Sequence, residues 1–311
     1  MVASILPVQS LVAGVMEGAG APALIVKGTR SPHGHALRPS EARALRQADL
    51  VFWVGPTLET FLEKPLESLS GKASVVTLME APGLELLRSR KGGLWTRAGK
   101  ADDAGVRNVD PHIWLDPANA KIMVAAIRDA LTRKDPLRGD IYRANARRLV
   151  HRLDALGRDL AGLIAPVREV PYLVYHDGFQ YFERRFGLNA LGSVTASSER
   201  KPGPRRVRKI RRLIERGEVA CVFGRSRIPF IAILIEGSRV RSATLDPLGT
   251  GLTPGQDQYF AMMRANGFSL VRCLSGKWTT PFAVDRGAAK ADLEHYPARW
   301  NHLTGMVLRL G

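Results

Sequence analysis

Eight apolar residues between Tyr142 and Val167 recur at steps of 4, 3, 4, 3, 4, 3 and 4: Tyr142, Ala146, Leu149, Leu153, Leu156, Leu160, Leu163 and Val167. Only an α-helix sets such positions on one side; a strand would send them to both faces. The spacing predicts a helix from about Asp140 to Val167, with Pro166 weakening its last turn. At 1.5 Å per residue such a helix is roughly 37 Å long, about the width of a domain. A rod of that length is either the core helix of a bundle or a strut between two lobes. What flanks it favours the strut.

Before it, short apolar runs alternate with helical patterns. Strands are expected at Val2–Leu6, Ala23–Val26, Leu50–Val54 and Ser74–Leu78. Helices are expected at Gln9–Met16, at Glu41–Ala48 with Ser40 as cap, and at Leu58–Lys64, where Pro65 should end or kink the turn. A further helix begins after Asp116, with Pro117 in its first turn, and stops before Pro136. After the long helix the alternation resumes, with strands near Pro171–Tyr175, Leu188–Val194, Val219–Phe223 and Val240–Leu245 and a last helix from Asp257 to Leu274. Strands and helices alternating over short links imply parallel sheets covered by helices. The expected fold class is therefore α/β: two Rossmann-like lobes, 1–136 and 168–276, joined by one long rigid helix, 137–167, with a cleft between them. A tail, 277–311, has no assigned role. The segment Leu87–Val109, rich in Arg, Lys, Gly and Asp, reads as a long exposed loop.

Charge is concentrated. The net is +17, and Ser198–Arg227 alone holds eleven basic against three acidic residues, a net of +8. A basic chain suggests an anionic partner. Arg205, Arg206, Arg208, Lys209, Arg211 and Arg212 have no interleaved aromatics, however, so a solvated basic face is the expectation rather than a nucleic-acid site. The two cysteines, Cys221 and Cys273, are too few for a disulfide framework and wrongly spaced for a zinc knuckle. Two buried thiols or one bridge both fit, the thiols being favoured from the residues alone. No apolar run is long enough to span a membrane. No signal peptide is read at Met1.

In an open α/β sheet, ligands bind outside the carboxyl ends of the strands. His33 follows the second strand. His112 stands just before the helix start in DPHIWLDP. His176 ends the first strand of the second half, and Asp246 ends its last. Three imidazoles and one carboxylate suit a tetrahedral zinc ion, with nitrogen at about 2.0–2.1 Å and oxygen at about 2.0–2.2 Å. Imidazole also suits copper, nickel and cobalt.

The ordered set SPHGHALRPS, LVFWVGPTLETFLEK, HIWLDPANAK, YHDGFQYFERRFGLNALGSV and LDPLG resembles the ZnuA-type proteins, the periplasmic zinc-binding components of bacterial ABC importers. The resemblance runs from about Val2 to Ser275. It implies zinc held in the cleft by His33 and His112 of the first lobe and His176 of the second, with Asp246 or water as the fourth ligand. It implies capture of Zn²⁺ in the periplasm, after removal of a leader, and delivery by a monomer to an ABC permease in the inner membrane. It also implies a Cys221–Cys273 bridge in an oxidising compartment. No enzyme activity is implied.

The chain departs from that pattern in places. Many relatives carry a histidine-rich stretch where Leu87–Val109 has Asp102 and Asp103 and no His, so zinc scavenging there is not expected. His35 replaces the usual aromatic and reads as a solvated loop residue rather than a spare ligand. Where relatives often have an acidic segment, this chain has GRSRI, and Arg225 or Arg227 turned inward would repel a cation. Two other readings use the same residues. A zinc hydrolase would need a base such as Asp177 beside the three histidines, although Asp177 more naturally supports a ligand. A nucleic-acid-binding protein would use the basic segment.

Overall fold

Two four-stranded parallel sheets carry the chain, and both are wound in the same order. In the first, β1 (Val2–Ala3), β2 (Ala23–Leu24), β3 (Leu50–Trp53) and β4 (Ser74–Thr77) lie in the order β2-β1-β3-β4. In the second, β5 (Tyr172–His176), β6 (Ala190–Thr195), β7 (Cys221–Gly224) and β8 (Arg241–Thr244) lie in the order β6-β5-β7-β8. This computed structural model describes residues 1–28, 30–69, 73–90, 93–95, 109–195, 202–225 and 228–276. The tail and the Asp102–Asp103 pair lie outside them.

Nine α-helices are found among the described residues: α1 (Leu6–Val15), α2 (Pro39–Arg46), α3 (Glu63–Glu67), α4 (Pro117–Lys134), α5 (Gly139–Ile164), α6 (Gln180–Phe186), α7 (Pro204–Glu215), α8 (Pro229–Ile235) and α9 (Gln258–Ser275). Helix α5 is the long rod that the stripe predicts. It packs against α1 and α4 on the first-lobe side and against α6 and α9 on the second. Its stripe is buried from Tyr142 to Leu160, and Ile164 takes the inward place expected of Leu163. The stripe joins both sheets in one hydrophobic cluster, from Val51 and Phe52 through Leu153 and Leu156 to Tyr172 and Phe223. The strut is thus also a core helix. A smaller cluster, with Ile210, Leu213 and Leu234, lies under α7 and α8.

Several local expectations change. Helix α2 starts at Pro39, one residue before the expected cap. Glu41 supplies the missing acceptor, its Oε2 taking the Arg38 N–H at 2.8 Å. Pro65 does not stop a helix but lies in the first turn of α3, where its absent N–H is not needed. Cys221 of β7 and Cys273 of α9 form a disulfide with Cα atoms 6.2 Å apart, so the favoured free-thiol reading is replaced by the bridge. Closing a loop of 52 residues is worth about 4 kcal/mol in the chain-entropy account. No helix among the described residues is long and apolar enough to cross a membrane.

The expected exposed loop is, at its described ends, tied down. Leu87 is buried and donates its N–H to Tyr181 Oη at 3.0 Å. Gly93–Trp95 lies antiparallel along the edge of β6, with Trp95 N–H to Leu191 O at 2.8 Å and Ser193 N–H to Gly93 O at 2.9 Å. Only glycine fits at Gly192, since a Cβ there would stand 2.2 Å from Gly93 O. The edge of the second sheet is thus covered by a segment from the first half.

Candidate metal centre

The DPHIWLDP stretch is where the two halves meet. Asp116 caps α4, its Oδ1 accepting from Ala118 N–H at 2.8 Å, and Pro117 fills the first helical position. Both Asp116 oxygens also take Arg185 of α6, at 2.6 and 2.7 Å. Trp114 donates its indole N–H to Pro247 O at 2.7 Å, and Tyr259 Oη donates to Trp114 O at 2.7 Å. Tyr181 Oη donates to Asp110 O at 2.8 Å. A short turn before one helix is therefore clamped by three segments of the second half.

Within that clamp His112 is 4% exposed. Its Nδ1 lies 2.7 Å from Asp110 Oδ1, which also takes the His112 backbone N–H at 3.0 Å. Burial alone would raise the Asp110 carboxyl, but the His112 charge and these bonds hold it below its ordinary value. With Nδ1 engaged, Nε2 is the nitrogen left for a ligand, an arrangement typical of metal-binding histidines.

His33 and His176 complete a triangle. Ring centroids are 5.4 Å apart for His33–His112, 5.6 Å for His33–His176 and 5.8 Å for His112–His176. One nitrogen from each lies within 4.8 Å of the others. A tetrahedral zinc with bonds of 2.0–2.1 Å would need nitrogens about 3.3 Å apart, so a small inward movement would close the site. His33 Nε2 and both His176 nitrogens are buried with no hydrogen-bond partner. Such orphaned groups are costly unless something else binds them. Burial, helped by the charges of His112 and His176, pushes His33 down to about 3. Burial, with His112, pushes His176 down to about 4. Both rings are thus neutral at pH 7, the form that binds a metal.

Gly178 makes the triangle possible. A Cβ there would lie 3.2 Å from His112 Nε2 and 3.5 Å from His176 Cδ2. Behind His176, Asp177 is bound by the Arg90 guanidinium, with Nε to Oδ2 at 3.0 Å. Arg90 also reaches Glu183 Oε2 at 2.7 Å and lies 3.5 Å over the Trp95 ring. The sequence reading did not single out Asp110, Gly178 or Arg90. Asp110 and Gly178 each stand two residues from a candidate ligand, which is the signal that could have found them.

Asp246 is not brought into the triangle. Its Oδ1 accepts from Leu248 N–H at 3.0 Å, and its Oδ2 from Thr250 N–H at 2.8 Å and Thr250 Oγ1 at 2.7 Å. His35 is neither a solvated loop residue nor part of the triangle. It is 8% exposed, its Nε2 lies 2.8 Å from Glu41 Oε2, and its ring packs edge-on to Phe61. Arg205, Arg208, Lys209, Arg211 and Arg212 stand exposed on α7, while Ile210, Leu213 and Ile214 face inward. That is a solvated basic face.

Two similar α/β lobes, a long helix through both and three imidazoles at the strand ends define a two-lobed solute-binding protein. The chain matches, over residues 1–273, the family described as ZnuA, zinc-uptake complex component A, periplasmic. It is 38% identical over 309 residues to the high-affinity zinc uptake system protein ZnuA of Brucella suis biovar 1, covering 88% of this chain and 91% of that one. It is 35% identical to the protein of the same description from Yersinia pestis, with 88% and 91% covered. Among solved structures, a mutant of the laminin-binding adhesin Lmb of Streptococcus agalactiae superposes with a TM-score of 0.72 at 26% identity, covering 88% of this chain and 98% of that one. The protein belongs to the ZnuA family.

Proposed function

We propose that this protein captures zinc in the periplasm and delivers it to an ABC-type permease of the inner membrane. The observation that carries this reading is the triangle of His33, His112 and His176, with one ring nitrogen from each within 4.8 Å of the others. The first two come from one lobe and the third from the other, so one ion draws both lobes onto itself. We take the lobes as 1–136 and 168–276, hinged on 137–167. The three histidines are the protein ligands. Asp246 would have to give up its bonds to Leu248 and Thr250 to join them, so water or another added group holds the fourth position. The bridge between Cys221 and Cys273 suits an oxidising compartment. A monomer is sufficient, because all three ligands come from one chain.

Binding rather than hydrolysis is supported by Asp177. The carboxylate that would act as base beside a zinc-bound water is instead ion-paired with Arg90. Zinc titration calorimetry tests the proposal. His112→Ala and His176→Ala should each lower affinity by orders of magnitude while the circular dichroism of the fold is kept. Equal zinc affinity in wild type and both variants would refute it.

A further inference from the structure

Helix α7 lies on the side of the second sheet that faces away from α5. Along β5, Tyr172 and Val174 join the cluster that contains the α5 stripe, while Leu173 between them joins Ile210 and Leu213 of α7. Neighbouring strand residues point to opposite faces, so α7 covers the outer one. Arg205, Arg208, Lys209 and Arg212 stand exposed on it. At about 100° per residue these four form a single stripe opposite Ile210 and Ile214, roughly 10 Å long.

The stripe is electrostatically unfavourable in the protein alone. Arg205 neighbours Arg208 and Lys209, and Arg212 neighbours the same two, all at the i+3 and i+4 spacings where like charges destabilise a helix. The first turn has no acidic residue, so Arg205 stands where the helix dipole favours an anion. Beside the stripe Arg211 has Glu215 and Arg216 has Glu218, but among the described residues the four have no carboxylate partner. The arginines around α5 are matched instead: Arg138 with Asp135, Arg143 with Asp140, Arg148 with Glu17 and Arg152 with Asp257. A row of unmatched cations on one outward face points to an anionic partner.

The surroundings of the stripe favour a lipid surface. A helix face is convex, and α7 has no aromatic side chain on which a base could stack. On α8, which packs beside α7, Ile231 and Leu234 turn inward while Ile233 is 59% exposed. Cations with an apolar side chain alongside match the boundary between anionic headgroups and acyl chains. We propose that the α7 stripe docks the protein on a membrane surface rich in anionic phospholipid. Such docking does not depend on zinc, and it holds a carrier close to a permease embedded in the same membrane.

The test sediments the full chain with vesicles of phosphatidylcholine alone or with about 30% phosphatidylglycerol, at about 0.1 M salt. Each cation at an anionic surface is worth about fivefold in binding, so four should favour the anionic vesicles by a few hundredfold. Arg208→Gln combined with Arg212→Gln should lower that binding about 25-fold. Adding Arg205→Gln and Lys209→Gln should abolish the preference. Both variants should melt no lower than wild type, because like-charge repulsion is relieved, and should keep its zinc titration. Salt at about 0.5 M should release the wild type from the vesicles. Equal binding to both kinds of vesicle, or binding to neither, would overturn the proposal and leave the zinc reading standing. Binding undiminished in the fourfold variant would overturn the assignment to α7. Tighter binding to duplex DNA than to anionic vesicles, at equal phosphate concentration, would overturn the lipid as partner.

Discussion

His112 and His33 belong to one triangle but are held in opposite ways. His112 sits in a clamp: Asp110 on its ring, Trp114 tied to Pro247, and Asp116 gripped by Arg185. His33 sits on the loop between β2 and α2. Its own backbone N–H makes only a 3.3 Å contact with Ser31 Oγ. The nearest firm anchor of that loop is two residues on, where His35 meets Glu41. One ligand is thus fixed by contacts from the far half of the chain, and the other by a local latch. The second half contributes to both sides of the cleft, since it holds a first-half ligand in place as well as supplying His176. This difference suggests that the His33 loop is the part that yields when zinc enters or leaves.

The contrast can be broken at several strengths. The largest effect is expected from His112→Ala, which removes a ligand and leaves Asp110 buried without its partner; zinc affinity should fall at least a thousandfold, measured by competition with a chelator. Asp110→Asn keeps the ligand but loosens its orientation, and about a 10- to 100-fold loss is expected. Gly178→Ala presses a methyl group against His112 and His176, and a loss of roughly tenfold is expected in the same assay. Glu41→Gln weakens the latch of the His33 loop and should act mainly on the rate of zinc release, raising it a few-fold in stopped-flow exchange. A larger effect from Glu41→Gln than from Asp110→Asn would reverse the comparison.

Acid provides a further test. His33 and His176 are pushed down to about 3 and about 4 in the folded protein, against 6.5 when unfolded. The unfolded chain therefore binds more protons in between. The stability these two rings lend the zinc-free fold is present above pH 6.5 and is lost as pH falls toward 4 and 3. For the same reason, protons compete with zinc for these two nitrogens only in strongly acidic solution. A pH series of thermal melts, with and without zinc, checks both signs.

Much of the fold could be read from the sequence because it is periodic. The 4-3 stripe of α5 and the apolar runs of β1, β3 and β7 declare the buried positions. The candidate ligands could be read because strand ends in such sheets are fixed places, and three of the four expected residues do converge. What could not be read depends on partners far apart in the chain. Arg90 meets Asp177 across 87 positions, and no spacing rule signals it. The loop that carries Arg90 looks solvated because its composition is polar, yet its described ends lie against β6 and α6. His35 reads as exposed for the same reason, until Glu41 and Phe61 enclose it. Asp246 stands at the expected strand end, but its oxygens close the turn to Leu248 and Thr250, a choice that depends on side-chain rotation rather than on position.

The central claim is that three imidazoles from two lobes hold one zinc ion. X-ray absorption at the zinc edge of the loaded protein tests it most directly. The account predicts three imidazole ligands with nitrogens at about 2.0–2.1 Å, marked by the multiple scattering of their rings, with one oxygen completing the shell, and loss of one imidazole in His176→Ala. A spectrum dominated by oxygen or sulfur, or one unchanged in that variant, would contradict it.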